Sequence, residues 1–461
     1  MLKLYNSRSR QIEDFKPIRP DLVGFYSCGP TVYNYIHIGN LRSFLLADLV
    51  RRALKFNSLP VKFVMNITDV GHLTSDSDTG DDKLEKNART LADVQMLAKK
   101  YTDAFLSDLT ALNIDPPDVL PRASEHVPEQ IEMVRTLIDK GFAYESDEAV
   151  YFDVAKFPDY NQLTGQKLDD MMLGARQEVV KDPRKKNPID FVLWFKAVGR
   201  YQNHIQRWDS PWGVGFPGWH IECSAMSRKY LGNHFDIHAG GIDLKFPHHT
   251  NEIAQSEAAN GEPFVNVWLH GEHLSLPEGK MSKSEGNSIT LATLIDKGFS
   301  PLAFRYLALT AHYRAKLNFT WDGLQAAQNA LNNLYSIISD FTAPAGQAEK
   351  FEQAFLAAIN SDLGPPQALA VMWDLVKTDE VSDAAKLASL FKFDEVLGLK
   401  LKDVWTASQV IPEVVINLAS ERETARRAKD YVRSDELRRA IESNGYFLED
   451  SADGFRLKKK F

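Results

Sequence analysis

Four side chains of this sequence carry donor atoms suited to a metal ion, and they come from three separated places. Cys28 and Cys223 are the two cysteines of a 461-residue chain. Two thiols in so long a sequence cannot form a disulfide framework, and in a reducing compartment a metal site or a reactive thiol explains such a pair better than a structural bridge. His248 and Glu252 stand four residues apart in a segment that reads as helical, so both project from one face about a turn apart. Together the four would supply two soft thiolates, an imidazole and a carboxylate, the kind of set that holds zinc. Spacing alone does not bring residues 28, 223 and 248 together. Each cysteine taken singly is as well explained as an inert buried thiol, and His248 as a helix cap.

The elements that would position these groups follow from periodicity. Residues 23–28 read as a short strand. Residues 41–54, with Leu41, Phe44, Leu45, Leu49, Val50 and Ala53 apolar, read as an amphipathic helix, and residues 61–67 as the next strand. Strand, glycine-containing loop, helix and strand suggest a βαβ unit of a parallel sheet, with ligands expected beyond the carboxyl ends of its strands, where Cys28 lies. Residues 219–231 and 246–259 look helical, with Asp236-Ile237-His238 as a strand end between them. Residues 69–82 are rich in Asp, Ser, Thr and Gly, but Asp76-Ser77-Asp78 fails the spacing of a calcium-binding EF-hand loop; a polar surface insertion is expected there, spanning Gly71 and Gly80. Past Thr320 the character is helical, with a helix over 324–338, a linker over 342–348 and a last helix over 416–442.

The length allows two to four domains, and 44% hydrophobic with 25% charged residues fits a soluble globular protein. Neither a secretion signal nor an unbroken apolar run of membrane-spanning length is visible, so a cytoplasmic protein without a membrane partner is expected. A net charge of -8 argues against a general nucleic-acid coat. Residues 421–461, however, hold 11 Lys/Arg against 9 Asp/Glu. That tail is the natural place for a polyanion contact.

Two motifs join these pieces. The loop after Cys28, running Gly29-Pro30-Thr31-Val32-Tyr33-Asn34-Tyr35-Ile36-His37-Ile38-Gly39-Asn40, resembles the HIGH signature of class I aminoacyl-tRNA synthetases. Lys280-Met281-Ser282-Lys283-Ser284 matches their KMSKS signature residue for residue. The segments around Cys223 and over Phe246-Pro247-His248-His249-Thr250-Asn251-Glu252 look like the cysteinyl-tRNA synthetase family in particular, and the resemblance covers essentially the whole chain.

The resemblance implies an α/β fold: a Rossmann-type parallel-sheet catalytic domain with an inserted domain, followed by a helical-bundle domain and a small C-terminal domain. The expected boundaries are 1–114 and 209–259 for the two catalytic halves, 115–208 for the insertion, 260–320 for the KMSKS loop and stem-contact region, 321–410 for the bundle and 411–461 for an anticodon-recognition domain. It implies that Cys28, Cys223, His248 and Glu252 bind one zinc ion, which takes the thiolate of substrate cysteine. A thiol with a reference pKa near 8.5 loses its proton readily on a metal, whereas serine's hydroxyl is a poor match, so no editing domain is expected.

His37, Gly39 and Asn40 would lie where the loop enters a helix and backbone N–H groups favour phosphate. Asn40 replaces the second histidine of the motif. Lys280 and Lys283 would neutralise the charge that gathers on the phosphates of ATP, with which Mg2+ is expected. Gly240, Gly241 and Asp243 would lie against adenine and ribose, and Gly29, Thr68 and Trp219 would hold cysteine. The implied catalytic residues are His37, Asn40, Lys280 and Lys283; the implied partners are ATP, L-cysteine and tRNA(Cys), and a monomer is expected. A cysteine ligase with a small amino-sugar acceptor, or a noncatalytic RNA-binding paralogue, would be the alternatives. The long continuation past Thr320, with Arg422, Arg426, Arg427, Lys429, Arg433, Arg438 and Arg439 in one helical segment, favours tRNA as acceptor. The paired lysines and the four metal donors favour catalysis.

Overall fold

A computed structural model describes residues 1–71, 73–75, 79–165, 184–276, 279–280, 288–451 and 454–461. The chain divides into two compact units. One comprises Met1–Thr293, Tyr313–Asn318 and Asn360–Leu363; the other comprises Leu294–His312, Phe319–Ile359 and Gly364–Phe461.

The first unit is built on a four-stranded parallel sheet, in the order Val265–Gly271, Phe235–Gly241, Val23–Ser27, Val61–Met65. Every residue of Phe235–Gly241 is buried, the condition under which a parallel strand reads as an unbroken apolar or small-residue run. Asp236 and His238 are the exceptions in that run, and the position of Asp236 explains its presence. Its two carboxylate oxygens accept the backbone N–H groups of Ile18 at 2.6 Å and Gly24 at 2.7 Å, so the buried charge ties this strand to the entry of its neighbour.

The helix Ile38–Phe56 connects Val23–Ser27 to Val61–Met65, as the expected βαβ unit requires. On its buried face Arg42 donates to the carbonyls of Glu272 and His273, each at 2.7 Å, and of Ala315 at 2.6 Å. A second, antiparallel sheet, ordered Gly215–Pro217, Phe191–Lys196, Ala149–Phe152, Ala143–Glu145, occupies the region between the strand pairs. Its Trp194 and Phe152 join Tyr26, Val64, Ile221 and Trp268 in one apolar core.

The region of residues 69–82 departs from a polar surface insertion. Strands Leu73–Ser75 and Thr79–Asp82 pair antiparallel, and Asp69, Val70, Leu73 and Asp82 are buried. Asp69 accepts the N–H of Ser124 at 2.9 Å and its hydroxyl at 2.8 Å; Asp82 accepts the N–H of Leu84 at 2.7 Å. Two of the acidic residues that make the segment look solvated, Asp69 and Asp82, serve backbone amides inside the unit, while Asp81 is exposed and pairs with Arg200. Asp76-Ser77-Asp78 lies outside the described residues. The helix expected from residue 246 begins only at His248, after Pro247.

The second unit is helical, with Pro301–Leu309, Trp321–Ser339, Pro365–Lys377, Asp383–Leu397 and Leu401–Ser408, followed by two more helices and the hairpin Tyr446–Ser451/Gly454–Lys459. The single helix expected over 416–442 is two, Glu413–Arg427 and Tyr431–Ser443. Between them Lys429 takes φ 62°, and Asp430 caps the second by accepting from Arg433 N–H at 3.0 Å. The arginines are also less available than their number suggests. Arg422 is buried and bidentate on Asp450 at 2.7 and 3.1 Å, Arg426 reaches the same carboxylate, and Arg427 pairs with Glu423. Among the described residues no helix is long and apolar enough to cross a membrane.

Asp236→Ala would strip the part-buried Ile18 and Gly24 amides of a charged acceptor, at about 1–3 kcal/mol each. We expect the first urea unfolding transition to move to markedly lower denaturant; an unmoved transition would show that water replaces the carboxylate at no cost.

Candidate active site

Parallel pairing sets Ser27 beside Ala239, and the next N–H, that of Cys28, donates to the Ala239 carbonyl at 3.3 Å. That places Cys28 at the carboxyl edge of the sheet beside Gly240. Helices Trp219–Leu231 and His248–Asn260 pack together behind it and bring Cys223, His248 and Glu252 to the same point. One donor atom from each of Cys28, Cys223, His248 and Glu252 lies within 4.8 Å of all the others, and all four residues are buried. The two sulfurs are 4.0 Å apart, and Glu252 Oε1 is 3.8 Å from Cys28 Sγ and 3.1 Å from His248 Nε2.

The electrostatics are those of a shared-charge cluster. Burial pushes the Glu252 carboxyl up, but His238 and His248 outweigh it and hold it down at about 2. Burial likewise disfavours the His248 imidazolium, yet Glu252 and Cys223 raise it to about 10. For Cys223 the cost of burial is overcome by the hydrogen bond from Cys28 and the charge of His248, leaving it lowered to about 6. Burial, with the Cys223 sulfur beside it, pushes the Cys28 thiol well up. The two thiols thus share one proton, and a bound cation would displace it.

Four further histidines surround the donors, and sequence reasoning assigned none of them. His238 Nε2 lies 2.9 Å from Glu252 Oε2 and fixes that carboxylate; its ring stacks on Trp268. His220 Nδ1 lies 2.9 Å from His248 Nδ1, which leaves His248 Nε2 turned toward the cluster. His249 Nε2 is 3.3 Å from Cys28 Sγ, while its Nδ1 meets His270 Nε2 at 2.8 Å, and His270 Nδ1 meets Ser7 at 2.8 Å. Burial and the imidazoles around it keep His249 well below its ordinary value. The signal lay in the doublet His248-His249 and in His238 two residues before the glycine pair: alternate residues of a strand share a face.

Cys28, His238, His249 and Glu252 form a second group close enough to hold an ion. Of the first group, Cys28, Cys223 and His248 line a cavity of about 260 Å³; of the second, Cys28 does and His238, His249 and Glu252 do not.

The same cavity gathers Gly29, Thr68, Trp219, Asn40, Gly240, Gly241 and Asp243. Gly29 is required by space, since a Cβ there would lie 1.6 Å from the Asn66 carbonyl oxygen. Asn66, which the sequence reading missed, accepts Gly29 N–H at 2.9 Å and donates to the Thr68 hydroxyl at 3.1 Å; Thr68 in turn donates to Glu222 at 3.0 Å. Trp219 stacks on His248 with ring centroids 4.3 Å apart.

His37 and Gly39 are not in the cavity wall. His37 Nδ1 accepts Asn40 N–H at 3.2 Å, and the Asn40 side chain accepts His37 N–H at 3.4 Å, a reciprocal cap at the start of the helix Ile38–Phe56. Lys280 has its backbone paired with Ser275. Lys283 lies outside the described residues, as do Met281, Ser282 and Ser284.

The family model described as tRNA synthetases class I (C) catalytic domain matches residues 14–329. A cysteine–tRNA ligase of Burkholderia lata is 46% identical, covering 99% of this chain and 96% of that protein. Cysteine–tRNA ligases of Treponema denticola and Thermus thermophilus are each 41% identical over 99% of this chain, covering 99% and 98% of those proteins. Among solved structures, Mycobacterium tuberculosis methionyl-tRNA synthetase in complex with methionyl-adenylate aligns with a TM-score of 0.53 at 15% identity, covering 82% of this chain and 90% of that one. At that identity the likeness speaks to the fold alone.

His238→Phe keeps a ring against Trp268 but removes the bond to Glu252. We expect metal affinity to fall about 10–100-fold, read by competition with a chromogenic chelator; unchanged affinity would mean that His238 does not orient the carboxylate.

Proposed function

The chain belongs to the cysteine–tRNA ligase family of class I tRNA synthetases, and we propose that its buried donor set serves the activation of L-cysteine with ATP to cysteinyl-adenylate, from which the cysteine passes to tRNA(Cys). The observation that carries the reading is the buried donor set Cys28, Cys223, His248 and Glu252, of which the two cysteines and His248 line a cavity.

The set fits zinc. A tetrahedral ion with bonds of about 2.0–2.3 Å separates its ligand atoms by roughly 3.3–3.8 Å. The separations of 4.0, 3.8 and 3.1 Å lie within a few tenths of an ångström of that range. Two thiolates suit zinc better than a hard cation. Bound there, zinc would supply a Lewis acid that takes the substrate thiol as thiolate and leaves serine poorly held. Thr68, fixed by Asn66 and Glu222, with Gly29 and Trp219, would hold the rest of the amino acid.

Gly240, Gly241, Asp243 and Asn40 line the cavity beyond the cysteines and would hold the nucleotide, with Gly39 allowing close approach of the chain. The capping box of His37 and Asn40 keeps the first turn of the helix in shape, and its N–H groups and dipole favour phosphate. Attack of the cysteine carboxylate on the α-phosphorus then expels pyrophosphate. Lys280 and Lys283, with Mg2+ carried by ATP, would neutralise the charge that accumulates. In this reading residues 115–208 form the inserted domain, 411–461 read the anticodon, and the protein acts in the cytoplasm as a monomer.

Cysteine-dependent pyrophosphate exchange tests the reading. We expect exchange with cysteine, little with serine, and loss on zinc removal with recovery on zinc addition. No cysteine-dependent exchange would overturn the enzyme assignment, and exchange indifferent to zinc would overturn the metal's role. Cys223→Ser should weaken zinc retention and cysteine activation together; zinc lost with cysteine affinity unchanged would separate the two. Charging of tRNA(Cys) by the full chain should follow.

A further inference from the structure

We infer that Lys83 is a phosphate-binding residue of the active site, its ammonium reaching phosphoryl oxygens of the reactants at the wall of the cavity. The inference rests on the reading of the chain as a cysteine-activating synthetase. Lys83 is the one Lys or Arg among the described residues of the cavity wall, which also carries Asp243 and the two cysteines. Reactants bearing several phosphate charges need a cation on the protein side if they are to leave water, and charge-assisted contacts are the strong ones. Lys83 shares the wall with Thr31, Tyr33, Ile36 and Asn40, so it lies along the loop that leads into the helix start and not at the metal floor. Its Nζ sits 5.7 Å from the centre of the Tyr33 ring, which steers the ammonium toward that loop.

The backbone that presents Lys83 is fixed on both sides. Asp82, before it, accepts the N–H groups of Leu84 at 2.7 Å and Glu85 at 3.3 Å, and its other oxygen lies 3.3 Å from His204 Nε2. Glu85, after it, accepts the N–H groups of Ile205 at 2.8 Å and Gln206 at 2.9 Å. Two buried or half-buried carboxylates therefore hold the turn while the cation between them is directed into the cavity, so little order has to be gained when phosphate binds. This gives the acidic hairpin ending at Asp82 a purpose: it is the bracket on which the lysine is mounted.

The experiment compares Lys83→Met and Lys83→Arg with the unsubstituted chain, zinc-loaded, in two assays: cysteine-dependent pyrophosphate exchange without tRNA, and single-turnover transfer of cysteine from preformed adenylate to tRNA(Cys). We expect Lys83→Met to lower one of them about 10–100-fold, the loss of one hydrogen bond to a charged group, with KM for cysteine and the thermal midpoint unchanged and with Lys83→Arg recovering much of the rate. A fall in exchange with a raised KM for ATP identifies the nucleotide's phosphate. A fall confined to transfer identifies a phosphate of the tRNA end. Neither rate falling would overturn the inference. So would a loss in which cysteine KM and thermal midpoint move together and arginine restores nothing, since the lysine would then be structural. Absence of exchange in the unsubstituted chain would instead overturn the enzyme reading on which the inference stands.

Discussion

Everything at the site depends on one parallel pairing. Strands Val23–Ser27 and Phe235–Gly241 lie far apart in sequence yet align Phe25 with Ile237, Tyr26 with His238 and Ser27 with Ala239. Parallel strands require a long crossover, and the chain spends that length on the Ile38–Phe56 helix, the second sheet and the helix Trp219–Leu231. Side chains alternate along a strand, so a slip of one residue would turn His238 away from Glu252 and move Cys28 off the edge where Cys223 waits. The carboxylate of Asp236, shared between Ile18 and Gly24 amides at the opposite end of the strands, pins that register.

Once the register is set, the interior has to accommodate charge. Taking ions out of water is expensive unless they are paired and hydrogen-bonded. Glu252 meets this by giving one oxygen to His238 and the other to His248, and His248 is itself steadied by His220. His249 and His270 stay uncharged and pass a chain of contacts outward to Ser7. The result is a donor set whose orientation is fixed before any ion arrives, held in place by groups that never touch the cavity.

The sequence made part of this legible. Periodicity was enough for the βαβ unit, because a helix with recurring apolar positions and short apolar strands leave clear patterns, and the helix Trp219–Leu231 was legible as well. The i, i+4 spacing of His248 and Glu252 put two donors on one face. It could not say that Cys28 lies beside them, since convergence in space is a property of strand pairing, and only the likeness to a family suggested it. Asn66, His238 and Lys83 stayed hidden for a related reason: each matters through a partner remote in sequence. The acidic stretch up to Asp82 misled because composition counts carboxylates without asking which amides they serve. The tail misled in the same way, as Asp430 splits the expected helix and Asp450 occupies Arg422 and Arg426.

Arg42 reaches the return segment of the sheet through carbonyl oxygens, those of Glu272, His273 and Ala315. Backbone oxygens are the same whatever side chain stands above them. His273 and Ala315 can therefore change residue type without altering the carbonyls the guanidinium grips, while Glu272 adds the pull of its charge; no other side chain than arginine offers several donors in a fixed planar fork of that reach. The contact is thus lopsided with respect to mutation: more tolerant on the side that receives than on the side that gives. A library of variants across this junction should show its tightest restriction at a position remote from the cysteines, on the buried face of the first helix.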